Sequence, residues 1–490
     1  MKWVANSLLG LLVLSGANGF AGSPKYKKPE VVLPANWKAP APWRDAAPQD
    51  SLPKGKWWAI FGDDELNRYE GQALTANQTL QSAIARLSEA RASARVTRSG
   101  LYPELDVNPS AQRYRLSGNR ALVGTTVPTA PITQNVFQIP FTLNYEVDLF
   151  GAVRNNLASA NANLQASAAN LENVRLMITS ELAADYFQLR ELDSEIDVVQ
   201  KAIEYQQKGL DLVNDRHSGG IASGLDVAQQ ETVLDSSTTQ LHLLTQQRAQ
   251  FEHAIAVLQG LPASQFTAPV KMLVAKPPAV PLTLPSDLLE RRPDIAQAER
   301  QVASTFAQIG VARAAFYPSI GIGIGGGVQS TKIGPLLDGP SAIWSIAASA
   351  LQPLFTGGKN RARLDFAKAS HADSVANYRE TVLTSFQQVE DALSGLDALQ
   401  NASLSQQRAV ADADRALNLA TVRYTGGLVT YLDVITAQET LLNNQRLAAQ
   451  LLGQQMVTSV YLVKALGGGW DASSIQNQVV RPDFKTAFQQ

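Results

Sequence analysis

The sequence predicts an α+β chain built from two copies of one unit. Three observations predict it. Two long proline-free stretches are rich in strong helix formers, short segments of period-two hydropathy precede each, and a series of motifs recurs in order in the second half. The 490 residues carry 42 Lys+Arg against 43 Asp+Glu, which excludes the basic surplus of a nucleic-acid protein. Hydrophobic residues make up 45%, enough to bury a large surface, and no apolar run of about 20 residues follows the N-terminal segment, so no helical membrane span is expected. Cysteine is absent, which excludes a disulfide framework, Cys-zinc and iron–sulfur sites, thiol catalysis and a Cys-linked lipid.

Residues 1–21 read as an export signal: Lys2, an apolar stretch over 8–14, then Ser15, Gly16, Ala17 and Gly19, with cleavage after Gly19 or Ala21. Residues 22–62 form a leader with seven prolines from Pro24 to Pro53. The first repeat covers 63–262. It holds a helix, a β-hairpin over about 104–148, and a helix pair over about 151–258 that turns at His217-Ser218-Gly219-Gly220. The first helix of that pair has no breaker but Gly209 and would reach roughly 100 Å. A linker covers 263–291. The second repeat, 292–469, follows the same plan: a helix from Asp294 to about Ala315, a hairpin over 318–354, and a helix pair over 357–466 that turns at Thr425-Gly426-Gly427. Residues 470–490 form a tail. Helices this long do not fit one globular domain and must lie side by side in an elongated assembly.

The repeat rests on four matches in one order. Leu101-Tyr102-Pro103 corresponds to Phe316-Tyr317-Pro318, and Asp148-Leu149-Phe150-Gly151 to Pro353-Leu354-Phe355-Thr356. Arg216-His217-Ser218-Gly219-Gly220-Ile221 corresponds to Arg423-Tyr424-Thr425-Gly426-Gly427-Leu428, and Leu225-Asp226-Val227 to Leu432-Asp433-Val434. The last two pairs share an offset of 207 residues.

Between the helices, Phe137, Ile139, Phe141, Leu143, Tyr145 and Val147 alternate with polar neighbours, and a weaker partner strand runs over about 104–116. Ile320, Ile322 and Ile324 alternate with glycines, and Trp344, Ile346, Ala348 and Ala350 with Ser345, Ala347 and Ser349. Two hairpins give four strands. Their apolar faces can meet each other in a soluble sandwich or face lipid in an outer-membrane barrel. Four strands cannot close a barrel, since the smallest have about eight, so the membrane alternative requires an oligomer.

Several patterns suggest chemistry and have plainer explanations. Gly321-x-Gly323-x-x-Gly326 matches the dinucleotide fingerprint but lies within a strand, with Gly334-Pro335 and no helix after it. His217, His242, His253 and His371 are scattered without metal-ligand spacing. No nucleophile–base–orienter set is readable, so no catalytic, cofactor or metal site is expected. Glu290-Arg291-Arg292-Pro293-Asp294 could form an anion site but suits a helix entry, with Pro293 in the first turn and Asp294 on the helix dipole.

The two helix turns carry the candidate site. Asp226 and Asp433 each lie seven residues after the first glycine of a turn. Equivalent tips of equally long helices belong at one end of an assembly, where a ring of repeated carboxylates would form a negative constriction. The alternative is a solvated carboxylate at a helix start, favoured by the dipole.

The segment Leu284-Pro285-Ser286-Asp287-Leu288-Leu289-Glu290-Arg291-Arg292-Pro293-Asp294-Ile295 resembles the signature of the outer-membrane factors of tripartite efflux systems, TolC-like channels of the OprM and NodT type. The resemblance extends through the Pro24, Tyr26 and Pro29 leader, Trp57-Trp58 with Phe61 and Asp63, the Tyr-Pro dipeptides and the Gly-Gly turns. It implies a homotrimer whose chains give four strands each to a 12-stranded outer-membrane β-barrel, continued by a long periplasmic α-helical barrel. It also implies a periplasmic adaptor (membrane fusion) protein and an inner-membrane pump of the resistance–nodulation–division type as partners. The function it implies is a passive export duct for small molecules; the alternatives are the outlet of a type I protein-secretion system, or a trimeric coiled-coil adhesin. In TolC-like channels the residues matching Asp226, Tyr424 and Asp433 belong to the periplasmic gate and its tethers, which adds the neighbouring Arg216 and Arg423 as candidates. Leu428-Val429-Thr430 is uncharged where some relatives place a charge. Many relatives carry an acylated cysteine near the leader; here Phe20 stands close to that position, which leaves barrel insertion as the expected hold on outer-membrane lipid.

Overall fold

A computed structural model describes residues 26–31, 37, 55–118, 131–274, 276–278, 280 and 291–470. The expected export signal, most of the leader, the first part of the Leu284 signature and the tail beyond Trp470 lie outside the described residues. The elements follow in order. A 3-10 turn Trp57–Phe61 precedes α1 (Asp64–Ala76) and α2 (Gln78–Ser99), then β1 (Glu104–Val107), β2 (Ser110–Leu116) and β3 (Ile132–Val147). Next come α3 (Ala152–Ser218), α4 (Gly224–Leu258), α5 (Pro293–Ala314), β4 (Ser319–Ser330), β5 (Ala342–Leu351), α6 (Lys359–Thr425) and α7 (Tyr431–Ala465). Both α3 and α6 have 67 residues, and both α4 and α7 have 35, so the repeat expected from the motifs is also a repeat of element lengths. Among the described residues no helix is long and apolar enough to cross a membrane.

The chain forms two compact units that cut across the repeats. Among the described residues, one takes those within 88–164 and 299–376, the other those within 30–87, 165–298 and 377–470.

The first unit holds the sheet, antiparallel throughout, in the order β1-β3-β4-β5 with β2 also on β3. The partner strand expected over 104–116 is split into β1 and β2 at Asn108-Pro109, because Pro140, opposite Asn108, has no N–H to return to the ladder, while Pro109 sits with its ring nitrogen on the side away from β3. The register passes through the split unchanged: Val107 faces Phe141 and Ser110 faces Gln138, and Asn108 still donates to the Pro140 carbonyl at 3.2 Å. The sheet therefore has four strand positions, as expected. Phe141, Gly326 and Trp344 share one row, and Leu143, Ile324 and Ile346 the next. On the opposite face Thr142, Gly325 and Ser345 share a row, as do Glu146, Gly321 and Ser349. A Cβ on Gly325 would stand 2.7 Å from Ser345 Oγ, so glycine admits the serine side chains on the polar face. The glycine pattern thus belongs to a strand running on to Ser330, without the helix a dinucleotide would need. Phe150 and Tyr317, one from each repeated motif, stack with centroids 4.9 Å apart.

The second unit packs helices around buried Trp57, Leu66, Tyr186, Phe187, Leu189 and Ile255. Asp63 caps α1, accepting from the Glu65 and Leu66 amides, while its other oxygen accepts from Tyr186 and Lys271. These bonds hold its pKa below the ordinary carboxylate value against the opposing effect of burial. Pro293 opens α5, as the helix-entry expectation has it. Arg292 grips Asp294 with two nitrogens and donates its third to the Ala465 carbonyl at 2.9 Å, satisfying the C-terminus of α7. Gly467 (φ +92°) lets the chain pass there, since a Cβ would lie 2.1 Å from the Arg291 carbonyl oxygen.

Candidate functional site

Each long helix ends in the same way. Ile221 N–H reaches back to the Arg216 carbonyl at 2.8 Å, and Leu428 N–H to the Arg423 carbonyl at 2.9 Å. The second glycine of each pair makes the turn, Gly220 at φ +74° and Gly427 at φ +73°, a conformation that a side chain would strain. Each following helix then starts on a hydroxyl residue. Asp226 accepts from Ser223 N and Oγ, both at 2.9 Å, and Asp433 accepts from Thr430 N at 3.1 Å and Oγ1 at 2.8 Å. Both candidate carboxylates therefore stand three residues into capped helices, where the helix dipole favours negative charge.

The resemblance links Tyr424 with Asp226. Within this protomer the carboxylate of Asp226 bonds to Ser223, and the partner of Tyr424 is Arg216 from the other repeat. The guanidinium lies 4.7 Å from the Tyr424 ring centroid, and its Nη1 donates to the Tyr424 carbonyl at 3.4 Å. Burial raises the pKa of the Tyr424 hydroxyl, with Arg216 opposing and the charge of Asp226 adding to the rise. Arg423, the repeat counterpart of Arg216, is exposed and makes no side-chain hydrogen bond or ion pair among the described residues. The repeat is thus broken in chemistry although it is kept in backbone.

Behind Tyr424 the four hairpin helices meet on Val213, Val233, Leu417, Tyr424, Tyr431, Val434 and Ile435. The Tyr424 and Tyr431 rings lie 4.9 Å apart. Tyr431 Oη donates to Gln230 Oε1 at 2.9 Å, and Gln230 Nε2 donates to the Gln206 carbonyl at 2.7 Å. Burial pushes the Tyr431 hydroxyl well above its ordinary pKa, so it stays a donor. The sequence reading missed Tyr431, Gln230 and Gln206. The signal was Gly209, the one glycine within α3: a Cβ there would stand 2.9 Å from Tyr431 Oη.

The structure brings Arg216 and Tyr424 together, seats Asp226 and Asp433 at equivalent helix starts, and leaves Arg423 facing solvent. These ends of the hairpins offer charged, hydrogen-bonding and turn-forming groups for contact or closure.

Comparison with known proteins agrees with this architecture. The sequence profile of the outer membrane efflux protein family matches residues 71–261 and 284–468, one stretch in each repeat. The pyoverdine export outer membrane protein OpmQ of Pseudomonas aeruginosa is 32% identical over 469 residues, covering 95% of this chain and 97% of its own. The toluene efflux pump outer membrane protein TtgF of Pseudomonas putida is 30% identical, covering 96% and 98%. The solved outer-membrane channel OprN superposes with a TM-score of 0.84 at 26% identity, over 92% of this chain and 99% of that one. The fold is that of the trimeric outer-membrane channels, a β domain in the outer membrane with an α-helical barrel in the periplasm. The chain belongs to the outer membrane efflux protein family and is the outer-membrane component of an efflux system.

Proposed function

We propose that this protein is a passive outlet duct, with no catalytic step, closed at the hairpin ends until its partners open it. One observation carries the oligomeric part of the reading: among the described residues the sheet has two unpaired edges. The β1/β2 edge is open on one side, and β5, exposed at all ten residues, on the other. An apolar face with open edges is unstable alone in lipid, because each unpaired backbone group there costs several kcal/mol. Three copies, each adding four strand positions, close all edges in a 12-stranded barrel.

The driving force then comes from elsewhere: an adaptor in the periplasm and an inner-membrane pump, the resistance–nodulation–division type being the one the sequence resemblance implies. Relatives named for pyoverdine and for toluene share this architecture, which supports a duct whose cargo, a small molecule, is chosen by the pump. Arg216, Tyr424, Asp226, Asp433 and Arg423 form the gate region in this reading. Tyr424 and Arg216 brace one repeat against the other, and the two aspartates supply charge at the constriction. Sedimentation of the detergent-purified chain tests the assembly: a stable trimer is expected, and a well-folded monomer contradicts the barrel.

A further inference from the structure

Among the described residues, the outer end of the sheet carries positive charge without an ion pair on one side of the first strand position. Facing residues across the ladder share a side, so the lipid side of the first strand position can be read in register. Leu105 faces Leu143, Val107 faces Phe141, Ala111 faces Phe137, Arg113 faces Asn135 and Arg115 faces Thr133. Two hydrogen bonds fix the opposite side independently. Gln138 Nε2 donates to Ser110 Oγ at 2.9 Å, and Gln134 donates to the Tyr114 hydroxyl, so Ser110 and Tyr114 lie on the polar side and the residues alternating with them, Ala111, Arg113 and Arg115, on the apolar side.

The height follows from strand geometry. From Val147 to Phe137 the apolar side spans ten residues, about 34 Å along the strand. At a tilt near 40° that is about 26 Å along the membrane normal, matching the apolar band of about 25 Å in outer-membrane barrels. Arg113 and Arg115 lie two and four positions further, about 5 and 10 Å above the band, at headgroup level. The helices join the sheet at its other end, so this end faces the cell exterior. Lys332 lies just beyond Ser330, the last residue of β4, which itself faces Phe137 at the same end of the sheet. Among the described residues here only Asp338 is acidic, and neither arginine has an ion pair, whereas at the helix end Arg154 is matched to Asp148 at 3.1 Å.

We infer that Arg113 and Arg115, with Lys332 two strand positions away at the same end of the sheet, bind the phosphate groups of the phosphorylated glycolipid of the outer leaflet. Guanidinium groups suit phosphate because they donate in a planar fork and keep their charge at any physiological pH. Threefold assembly repeats the site around the barrel and seats it in one leaflet. The inference rests on the outlet reading, since a soluble sheet would have no lipid side.

Native mass spectrometry of the detergent-purified trimer with bisphosphorylated lipid A tests it. Each surface cation is worth roughly fivefold in affinity for an anionic headgroup. Arg113→Gln with Arg115→Gln should therefore weaken binding about 25-fold, while Arg113→Lys with Arg115→Lys keeps most of it. Dephosphorylated lipid A should bind the unaltered protein as weakly as bisphosphorylated lipid binds the glutamine pair, and inorganic phosphate should not displace the lipid. Unaltered protein that holds both lipids equally overturns the inference without any variant, as does a glutamine pair that binds like the original, or displacement by phosphate alone. A conducting trimer blind to lipid phosphate contradicts this inference only; a chain that forms no trimer and no pore contradicts the outlet reading.

Discussion

Tyr431 and Gln230 join the two repeats: the hydroxyl of the first residue of α7 donates to the amide oxygen of a buried glutamine in α4. The bond exists because Gly209 of α3 leaves room for it. Tyr431→Phe should lower the stability of the assembled protein by about 1–2 kcal/mol, since the Gln230 oxygen loses its donor while buried. Gly209→Ala places a methyl group against the same hydroxyl, offsetting the gain of up to about 1 kcal/mol that alanine brings to a helix. In the Tyr431→Phe background the oxygen is gone, so Gly209→Ala should become stabilising. Thermal unfolding of the two single variants and the double variant measures this coupling, and additive effects would contradict it.

Asp193 is the common acceptor of a buried charge cluster. It receives Arg190 Nη1 at 2.7 Å, Arg248 Nε at 2.6 Å and the Lys271 amide at 3.0 Å. Arg190 also donates to Glu65 of α1 at 3.0 Å, so the cluster ties α1, α3, α4 and the segment after α4. Asp193→Ala would leave two guanidinium groups short of their acceptor, one of them almost fully buried, and should cost about 3–5 kcal/mol. Denaturant melting checks it; a loss under about 1 kcal/mol would mean the cluster is solvated.

Glu191 and Glu195 stand on consecutive turns of α3. Glu195 holds Arg446 of α7 at 2.7 Å, and Glu191 accepts from Gln188 at 2.7 Å and packs where a Cβ on Gly453 would come within 2.4 Å of its Cγ. Burial, then the neighbouring charge of Glu195, pushes the Glu191 carboxyl up to about 7. Burial and Glu181 do the same to Asp185. In the unfolded chain both carboxyls ionise near their ordinary values. Between those values and about 7 the folded protein binds more protons, so stability falls as pH rises through that window and is lowest above it. Glu191→Gln should remove part of the slope. Melting temperatures from pH 5 to pH 8 test this, and an unchanged slope in the variant would assign it to other groups.

The ends of all four long helices were legible to within about two residues, because glycine pairs and prolines punctuate helices made of strong helix formers. The strand faces were legible because alternation over β3 has period two. The split at Asn108-Pro109 was less legible, since it depends on Pro140 standing opposite Asn108 in the register, where it has no N–H to return to the ladder. The site was less legible. Asp226 and Asp433 announce themselves by repeat position, but the pairing of Arg216 with Tyr424 depends on which helices become neighbours. The bond of Tyr431 to Gln230 spans 201 residues and is signalled only by the space at Gly209.

Closure at the hairpin ends can be read directly by single-channel recording in a planar bilayer. The unaltered trimer should conduct weakly. Arg216→Ala with Tyr424→Phe removes the contact that braces the two repeats and should raise the open conductance or its frequency several-fold. Asp433→Ala should instead lower cation preference, because it deletes charge and no brace. A double variant that conducts as the unaltered trimer does, together with unchanged selectivity in Asp433→Ala, would contradict the account and place the closure elsewhere along the helices.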